Sequence, residues 1–169
     1  MDLKVTCENG RWQARWGAHC RPCAIGRGGV RRDKAEGDGA TPAGRWPIRR
    51  VLYRADRLEP PRTAVPCEAL RPEDGWCDAP GDPRYNTLVR VPYPASHERL
   101  WRDDEIYDCL VVLAYNDDPV SAGAGSAIFL HVARPDLSPT EGCVALSRAD
   151  LLEFLGAAAP GSGVSVVAP

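Results

Sequence analysis

The sequence predicts a mainly β fold (β+α) with one principal helix. Its 169 residues include 16 glycines and 16 prolines, which are spread along the chain and indicate many turns between short elements. Two apolar runs late in the chain are typical of buried strands, and only one segment has the apolar spacing of a helix. Apolar residues make up 44% of the chain, enough for a real core. We therefore expect a single domain that covers residues 1–169.

Short strands are predicted in the first third of the chain. The pair Asn9-Gly10 between two strand-like runs is a hairpin signal, and Gly17-Ala18 separates the next two runs. A polar, glycine-rich stretch at 27–44 predicts a long loop or an exposed hairpin. The strands predicted in this region are 3–7, 11–16, 19–24 and 45–54, the last with an early proline.

The segment 58–94 contains eight prolines and predicts a stretch without regular elements. Proline fixes φ and lacks an N–H donor, so it disfavours the interior of a helix or sheet. Trp76, Tyr85 and Tyr93 lie in the same segment and indicate that it packs against the rest of the protein. Long irregular segments are often lids or binding loops, so we expect an ordered covering loop here.

Two buried strands and a helix are predicted in the last third. The runs 109–115 (CLVVLAY) and 127–132 (AIFLHV) are apolar, and a turn-rich connector separates them. The principal helix follows Cys143, with Ser147 as its N-cap and Asp150 three residues later. A final strand is predicted at 163–167.

Composition excludes several classes of function. The net charge is −2 and no basic block is present, so nucleic-acid binding has no electrostatic support. No apolar run is long enough for a membrane span. The N-terminus lacks the apolar core of a signal peptide, which leaves three possibilities: a cytoplasmic protein, export by another route, or a start that lies upstream.

Seven cysteines are present, an odd number with no regular disulfide spacing. Cys20 and Cys23 form a C-x-x-C, but no second pair of ligands follows to complete a zinc site. The sequence therefore predicts neither a metal nor another cofactor.

His131 and Cys143 are the candidates for catalysis. His131 lies at the end of a predicted buried strand, and Cys143 follows twelve residues later, directly after Gly142. A thiol needs a neighbouring base to become a thiolate, and the intervening loop is long enough to return the cysteine to the histidine. Backbone N–H groups at Gly142 and Cys143 could stabilise an oxyanion. The group that orients the imidazole need not be a side chain.

The residues around this pair resemble the L,D-transpeptidase (YkuD-like) catalytic domain. That family's signature is a histidine, a short loop and then Ser/Thr-x-Gly-Cys followed by an aliphatic residue, here His131 and the run 140–144 (TEGCV). The run 34–44 (KAEGDGATPAG) before Trp46 resembles a second family segment, and 125–131 (GSAIFLH) a third. Asp150 stands where the family often has an acidic residue. The resemblance spans about residues 20–155.

This resemblance implies a β-sandwich or cradle over the active-site cysteine. It implies that Cys143 attacks the peptide bond after the third residue of a peptidoglycan stem and forms a thioester, which an amine of a second stem resolves. His131 would be the general base and then the acid, and the carbonyl of Val132 would orient it. Donor and acceptor muropeptides would be the only partners, the protein would be a monomer, and the activity would lie in the periplasm or cell envelope.

The chain also departs from the family pattern. Glu141 stands where the family usually has histidine, and it could raise the pKa of the thiol or bind a substrate amine. Ala145 stands where Arg or Asn is common, and the loop between histidine and cysteine is short. These features are typical of a compact, divergent proteobacterial branch, whose relatives join stems at the first residue (1,3 crosslinks) instead of the third.

Further residues are candidates for substrate binding, each with a structural alternative. Asn116 could bind a peptide backbone or simply form a turn beside Tyr115, and Arg134 could pair with a carboxylate or be a surface arginine. His97 could reach the substrate from the covering loop, with Trp101 packing on a sugar. The predicted substrate contacts are Glu141, Thr140, Asn116, Tyr115, His97, Trp101, Arg134 and Ser126.

Other functions remain open on the sequence. A carboxypeptidase or amidase would use the same acyl-enzyme and resolve it with water. A non-catalytic peptidoglycan-binding module would keep the fold, with Glu141 as a sign of lost activity. A papain-like hydrolase fits less well because its cysteine precedes its histidine. A redox or zinc protein built on Cys20 and Cys23 fits least.

Overall fold

The computed structural model describes all 169 residues and has fourteen strands and one helix. The elements are β1 Leu3–Glu8, β2 Arg11–Trp16, β3 His19–Pro22, β4 Val30–Arg31, β5 Thr41–Pro42, β6 Gly44–Tyr53, β7 Cys67–Ala69, β8 Asp74–Cys77, β9 Leu88–Arg90, β10 His97–Arg99, β11 Cys109–Leu113, β12 Phe129–Val132, β13 Val144–Leu146, α1 Arg148–Ala157 and β14 Gly163–Val166. Nine strands form one sheet in the order β13-β12-β11-β6-β14-β1-β2-β3, with β7 beside β6. Three strands form a second sheet in the order β10-β8-β9, and β4 pairs with β5. The predicted mainly β fold is confirmed.

Local sequence accounts for the first hairpin and for the helix. Asn9 and Gly10 both have positive φ (49° and 74°), which is the backbone of a tight two-residue turn between β1 and β2. Ser147 caps α1: its hydroxyl oxygen accepts from the backbone N–H of Asp150 at 3.2 Å. This helix is neither long nor apolar enough to cross a membrane.

The prediction of a segment without regular elements at 58–94 is wrong. This segment contains β7, which pairs with β6 in the large sheet. It also contains β8 and β9, which belong to the three-stranded sheet. Each strand has only three or four residues, and the prolines lie outside them, where no ladder N–H is needed. Two further short strands occur in the predicted loop 27–44, and β13 was not expected at all.

The two faces of the strands β6, β11 and β12 carry separate apolar cores. One face holds Val51, Val111 and Leu130, and the larger core around them includes the buried side of α1. The other face holds Leu52, Leu110 and Phe129, which pack under the three-stranded sheet and residues 100–107. Alternation along the strands produces this division, and the second face carries the candidate site.

Candidate active site

Parallel pairing of β12 with β13 places His131 and Cys143 on one face of the sheet. The register sets Leu130 beside Val144 and His131 beside Ala145. Cys143, one residue before β13, therefore lies beside Phe129, and the N–H of Phe129 donates to its sulfur at 3.3 Å. Phe129 and His131 are two residues apart on one strand, so their side chains point to the same side.

His131 is held as a neutral, oriented imidazole. Its Nδ1 lies 2.9 Å from the carbonyl oxygen of Val132, and since a carbonyl only accepts, Nδ1 carries the proton. Nε2 makes no hydrogen bond within the protein and is left as the basic nitrogen. The ring meets the edge of Tyr107 with centroids 5.3 Å apart. Burial lowers the pKa of His131 to about 4, and the charges of nearby arginines add to this effect.

Cys143 rests as a protonated thiol. It is only 7% exposed, and its S–H donates to the carbonyl of Ala127 at 3.2 Å and not to His131. Burial raises its pKa to about 12, and the charge of Glu98 acts in the same direction, whereas Lys34 and the N–H of Phe129 oppose it. The resting site is therefore a neutral pair, thiol and imidazole.

The turn before Cys143 is fixed by Thr140. Its buried hydroxyl donates to the carbonyl of Cys143 at 2.6 Å and accepts from the N–H of Gly142 at 3.1 Å. Gly142 has φ +139°, and a Cβ there would lie 2.9 Å from the carbonyl oxygen of Ala40. The predicted oxyanion donor at Gly142 is thus engaged by Thr140 in this conformation.

A cavity of about 470 Å³ opens over this pair. Six of the predicted site residues line it: Ser126, His131, Arg134, Thr140, Glu141 and Cys143. Ser126 is 8% exposed and its hydroxyl has no hydrogen-bond partner. Arg134 is exposed and makes no ion pair with the protein.

Four other predicted contact residues lie outside the cavity wall. His97 Nδ1 is 2.8 Å from the carbonyl of Ala95, and Trp101 packs beneath the guanidinium of Arg54 at 3.7 Å. The hydroxyl of Tyr115 donates to the carbonyl of Ala124 at 2.5 Å, and its ring packs edge-on against the indole of Trp46. The amide of Asn116 donates to two carbonyls of the same turn. These side chains stabilise loops around the site.

Glu141 lies at the mouth of the cavity. Its side chain is 78% exposed and accepts from Arg27 Nε at 2.7 Å. The expected effect of Glu141 on the thiol is not found: the carboxylate that raises the pKa of Cys143 is Glu98. An exposed, paired carboxylate is screened by water and acts only weakly at a distance.

Sequence reasoning missed several charged residues that line the cavity. Lys34 is the most buried, 3% exposed, and pairs with Asp38 at 2.7 Å. Its stem lies against Gly125, where a Cβ would approach it to 2.9 Å. The match of 34–44 to a family segment was a signal for Lys34. Other missed lining residues are Glu98 on β10 and four residues outside the strands: Glu36, Asp78, Arg102 and Tyr107.

The cysteines form no second site. All seven are free, and no group of three or more His, Cys, Asp or Glu side chains could hold a metal ion. Cys23 is buried in the larger core, where burial raises its pKa to about 12. Cys20 instead contacts the side chain of Gln13. The C-x-x-C motif therefore consists of one residue on β3 and one just after it, with separate surroundings.

Comparison with known proteins agrees with this geometry. The family model of the L,D-transpeptidase catalytic domain (YkuD) matches residues 3–166. No curated protein matches the chain. A match of this extent covers every strand and the helix, including β12, which holds the histidine, and β13, which follows the cysteine. The chain therefore belongs to the YkuD family of L,D-transpeptidase catalytic domains.

Proposed function

We propose that this protein is a peptidoglycan L,D-transpeptidase that joins stem peptides through a thioester on Cys143. One observation carries the proposal: the thiol and the unpartnered Nε2 of His131 lie on one face of adjacent parallel strands and open into one cavity. Nucleophile and base in such an arrangement are the minimum required for acyl transfer.

The neutral resting pair indicates how acylation begins. Proton transfer from the sulfur to Nε2 of His131 produces a thiolate, which attacks the carbonyl after the third residue of the donor stem. The carbonyl oxygen becomes an oxyanion, and the N–H of Cys143, together with the nearby charge of Lys34, stabilises it, while the N–H of Gly142 remains bound to the Thr140 hydroxyl. Collapse breaks the peptide C–N bond, and His131 returns the proton to the departing amine.

Val132 sets the direction of these transfers. Because its carbonyl accepts from Nδ1, only Nε2 can take the proton from sulfur. The imidazolium formed in this step keeps the same hydrogen bond, which favours the charged ring and offsets part of its burial.

The thioester is then resolved by an amine of a second stem, which restores the thiol and forms the crosslink. The family acts on peptidoglycan, so we place the activity in the cell envelope, with donor and acceptor muropeptides as partners of a monomer. The short loop between His131 and Cys143 supports membership of the compact, divergent branch of the family. Because relatives in that branch make 1,3 crosslinks, we propose a 1,3 crosslink here.

Intact-protein mass spectrometry after incubation with purified disaccharide-peptide stems tests the proposal. The wild type should gain a stem adduct, and the digest should contain dimeric stems whose fragmentation shows which residue was joined. Cys143→Ala should gain neither. Cys20→Ser is the matched control, because Cys20 lies on β3 outside the cavity, and it should behave as the wild type.

Two other outcomes would contradict the proposal. An adduct that yields only shortened stems would identify a hydrolase that uses the same thioester. A folded wild-type protein that never forms an adduct, but is retained by peptidoglycan, would identify a binding module.

A further inference from the structure

The charges of the active-site cavity are unequally compensated. Of its cations, Lys34 is paired with Asp38 and Arg102 with Asp104, each at 2.7 Å, and the exposed Arg134 has no ion-pair partner. By contrast, Glu36, Asp78 and Glu98 line the same cavity and have no ion-pair partner, since no lysine, arginine or histidine nitrogen lies within 4.0 Å. Three unpaired carboxylates therefore stand against one unpaired cation, and the cavity carries an excess of unpaired negative charge.

Two buried polar atoms of the cavity also lack partners. One oxygen of Asp78 is buried and accepts no hydrogen bond. Ser126 is 92% buried, and its hydroxyl also has no hydrogen-bond partner. A buried polar atom without a partner is costly, and a bound group that donates to it removes the cost. Both atoms can accept a hydrogen bond, as an ammonium group would require.

Glu98 is linked to His131 through the side chain of Tyr107. It extends from β10, and its Oε1 accepts from the hydroxyl of Tyr107 at 2.5 Å. The ring of Tyr107 is the same ring that meets His131 edge-on at 5.3 Å. Glu98 is also the acidic residue whose charge acts on the Cys143 thiol. A carboxylate held this way can reach a group that approaches the thioester.

We infer that Glu98 binds the ammonium group of the acceptor stem and takes its proton, so that the free amine can attack the thioester. This inference rests on the proposed function, in which an amine resolves the acyl-enzyme. Burial raises the pKa of Glu98, and a carboxylate of raised basicity takes a proton from an ammonium more readily. Asp78 and Ser126 supply the remaining acceptors for the ammonium N–H groups.

The proton balance is complete with residues of this chain. One proton passes from the ammonium to Glu98, and the amine lone pair forms the new C–N bond. As the C–S bond breaks, the second amine proton passes through His131 to the sulfur. The product is an amide and the thiol of Cys143, and Glu98 then releases its proton to water.

The proposed role of Glu98 is tested by measuring how much of the acyl-enzyme reacts with the amine of a second stem and how much reacts with water. Wild type and Glu98→Gln are incubated with a purified stem tetrapeptide that serves as donor and acceptor. Thioester formation is followed by intact mass, and the ratio of dimeric to shortened product by chromatography. Glutamine keeps the acceptor for the Tyr107 hydroxyl and the size of the side chain, so only the charge and basicity are removed.

The expected result is a Glu98→Gln variant that forms the thioester at least as fast as the wild type, because the charge that raised the pKa of the Cys143 thiol is gone. Its ratio of dimeric to shortened product falls by about 100-fold, the usual loss with a general base. Tyr107→Phe keeps the ring against His131 and should lower the ratio by a smaller factor. Glu73→Gln, an exposed charge change beside β8, is the control and should change neither quantity.

An unchanged ratio in Glu98→Gln overturns the inference and leaves the proposed function intact. An equal loss of thioester formation and ratio also overturns it, because Glu98 would then act on the thiol and imidazole. A wild-type protein that forms no thioester overturns both the proposed function and this inference.

Discussion

The hydroxyl of Thr140 is expected to control both the stability of the protein and the geometry of the nucleophile. Thr140→Val replaces this hydroxyl by a methyl group of similar size and removes no apolar contact. Two backbone groups then lose their partner: the carbonyl of Cys143, at 2.6 Å, and the N–H of Gly142, at 3.1 Å. Both bonds are buried, so water replaces them poorly.

The magnitude follows from these two bonds. A buried polar group without a partner costs about 1–3 kcal/mol, so the pair should lower the free energy of unfolding by about 2–4 kcal/mol. For a chain of this size, that loss corresponds to a decrease in Tm of roughly 5–15 °C. Thermal unfolding followed by circular dichroism measures the shift, and urea unfolding gives the free energy independently.

Thr140→Ser is the control, because it keeps the hydroxyl and loses only a methyl group. It should unfold much nearer the wild-type temperature than the valine variant. A Thr140→Val protein that unfolds at the wild-type temperature and forms the thioester at the wild-type rate would refute the assignment of Thr140 to the nucleophile turn.

Three further predictions concern titration and buried charge. Because burial raises the pKa of Cys143 to about 12, its alkylation by iodoacetamide, mapped by peptide mass, should rise about tenfold per pH unit through neutrality; a plateau below about pH 8 would instead indicate a thiolate–imidazolium pair. The pKa of His131 is lowered from 6.5 to about 4, so the unfolded chain binds its proton first and stability should fall by about 3 kcal/mol as the pH decreases across that interval. Urea unfolding of His131→Gln should show a flatter dependence on pH, and an identical dependence would contradict the assignment. Asp108→Ala removes a carboxylate, 1% exposed, that accepts from two arginines, and it should lower the free energy of unfolding by about 3–5 kcal/mol, whereas the exposed control Asp33→Ala should lower it by under about 0.5 kcal/mol.

Patterns that depend on neighbours in the chain were predictable. Asn9-Gly10 forms its turn and Ser147 caps its helix because the interactions involved lie within a few residues. The apolar runs around β11 and β12 are buried strands as expected, although each is shorter than its run. The short strands of 58–94 were not predictable, because three residues carry no measurable periodicity and their partners are distant in sequence.

The sequence by itself determined the family and the mainly β class and predicted the candidate pair of Cys143 and His131, since motifs and alternation lie in adjacent residues. Only the tertiary structure decided what surrounds that pair. Glu98 on β10 and the loop residues Tyr107 and Lys34 reach the cavity from parts of the chain far from Cys143, and four expected contact residues lie outside the cavity wall. The protonation of His131 and Cys143 follows from their burial and from charges that are distant in sequence but close in space. Both arise when strands and loops pack together.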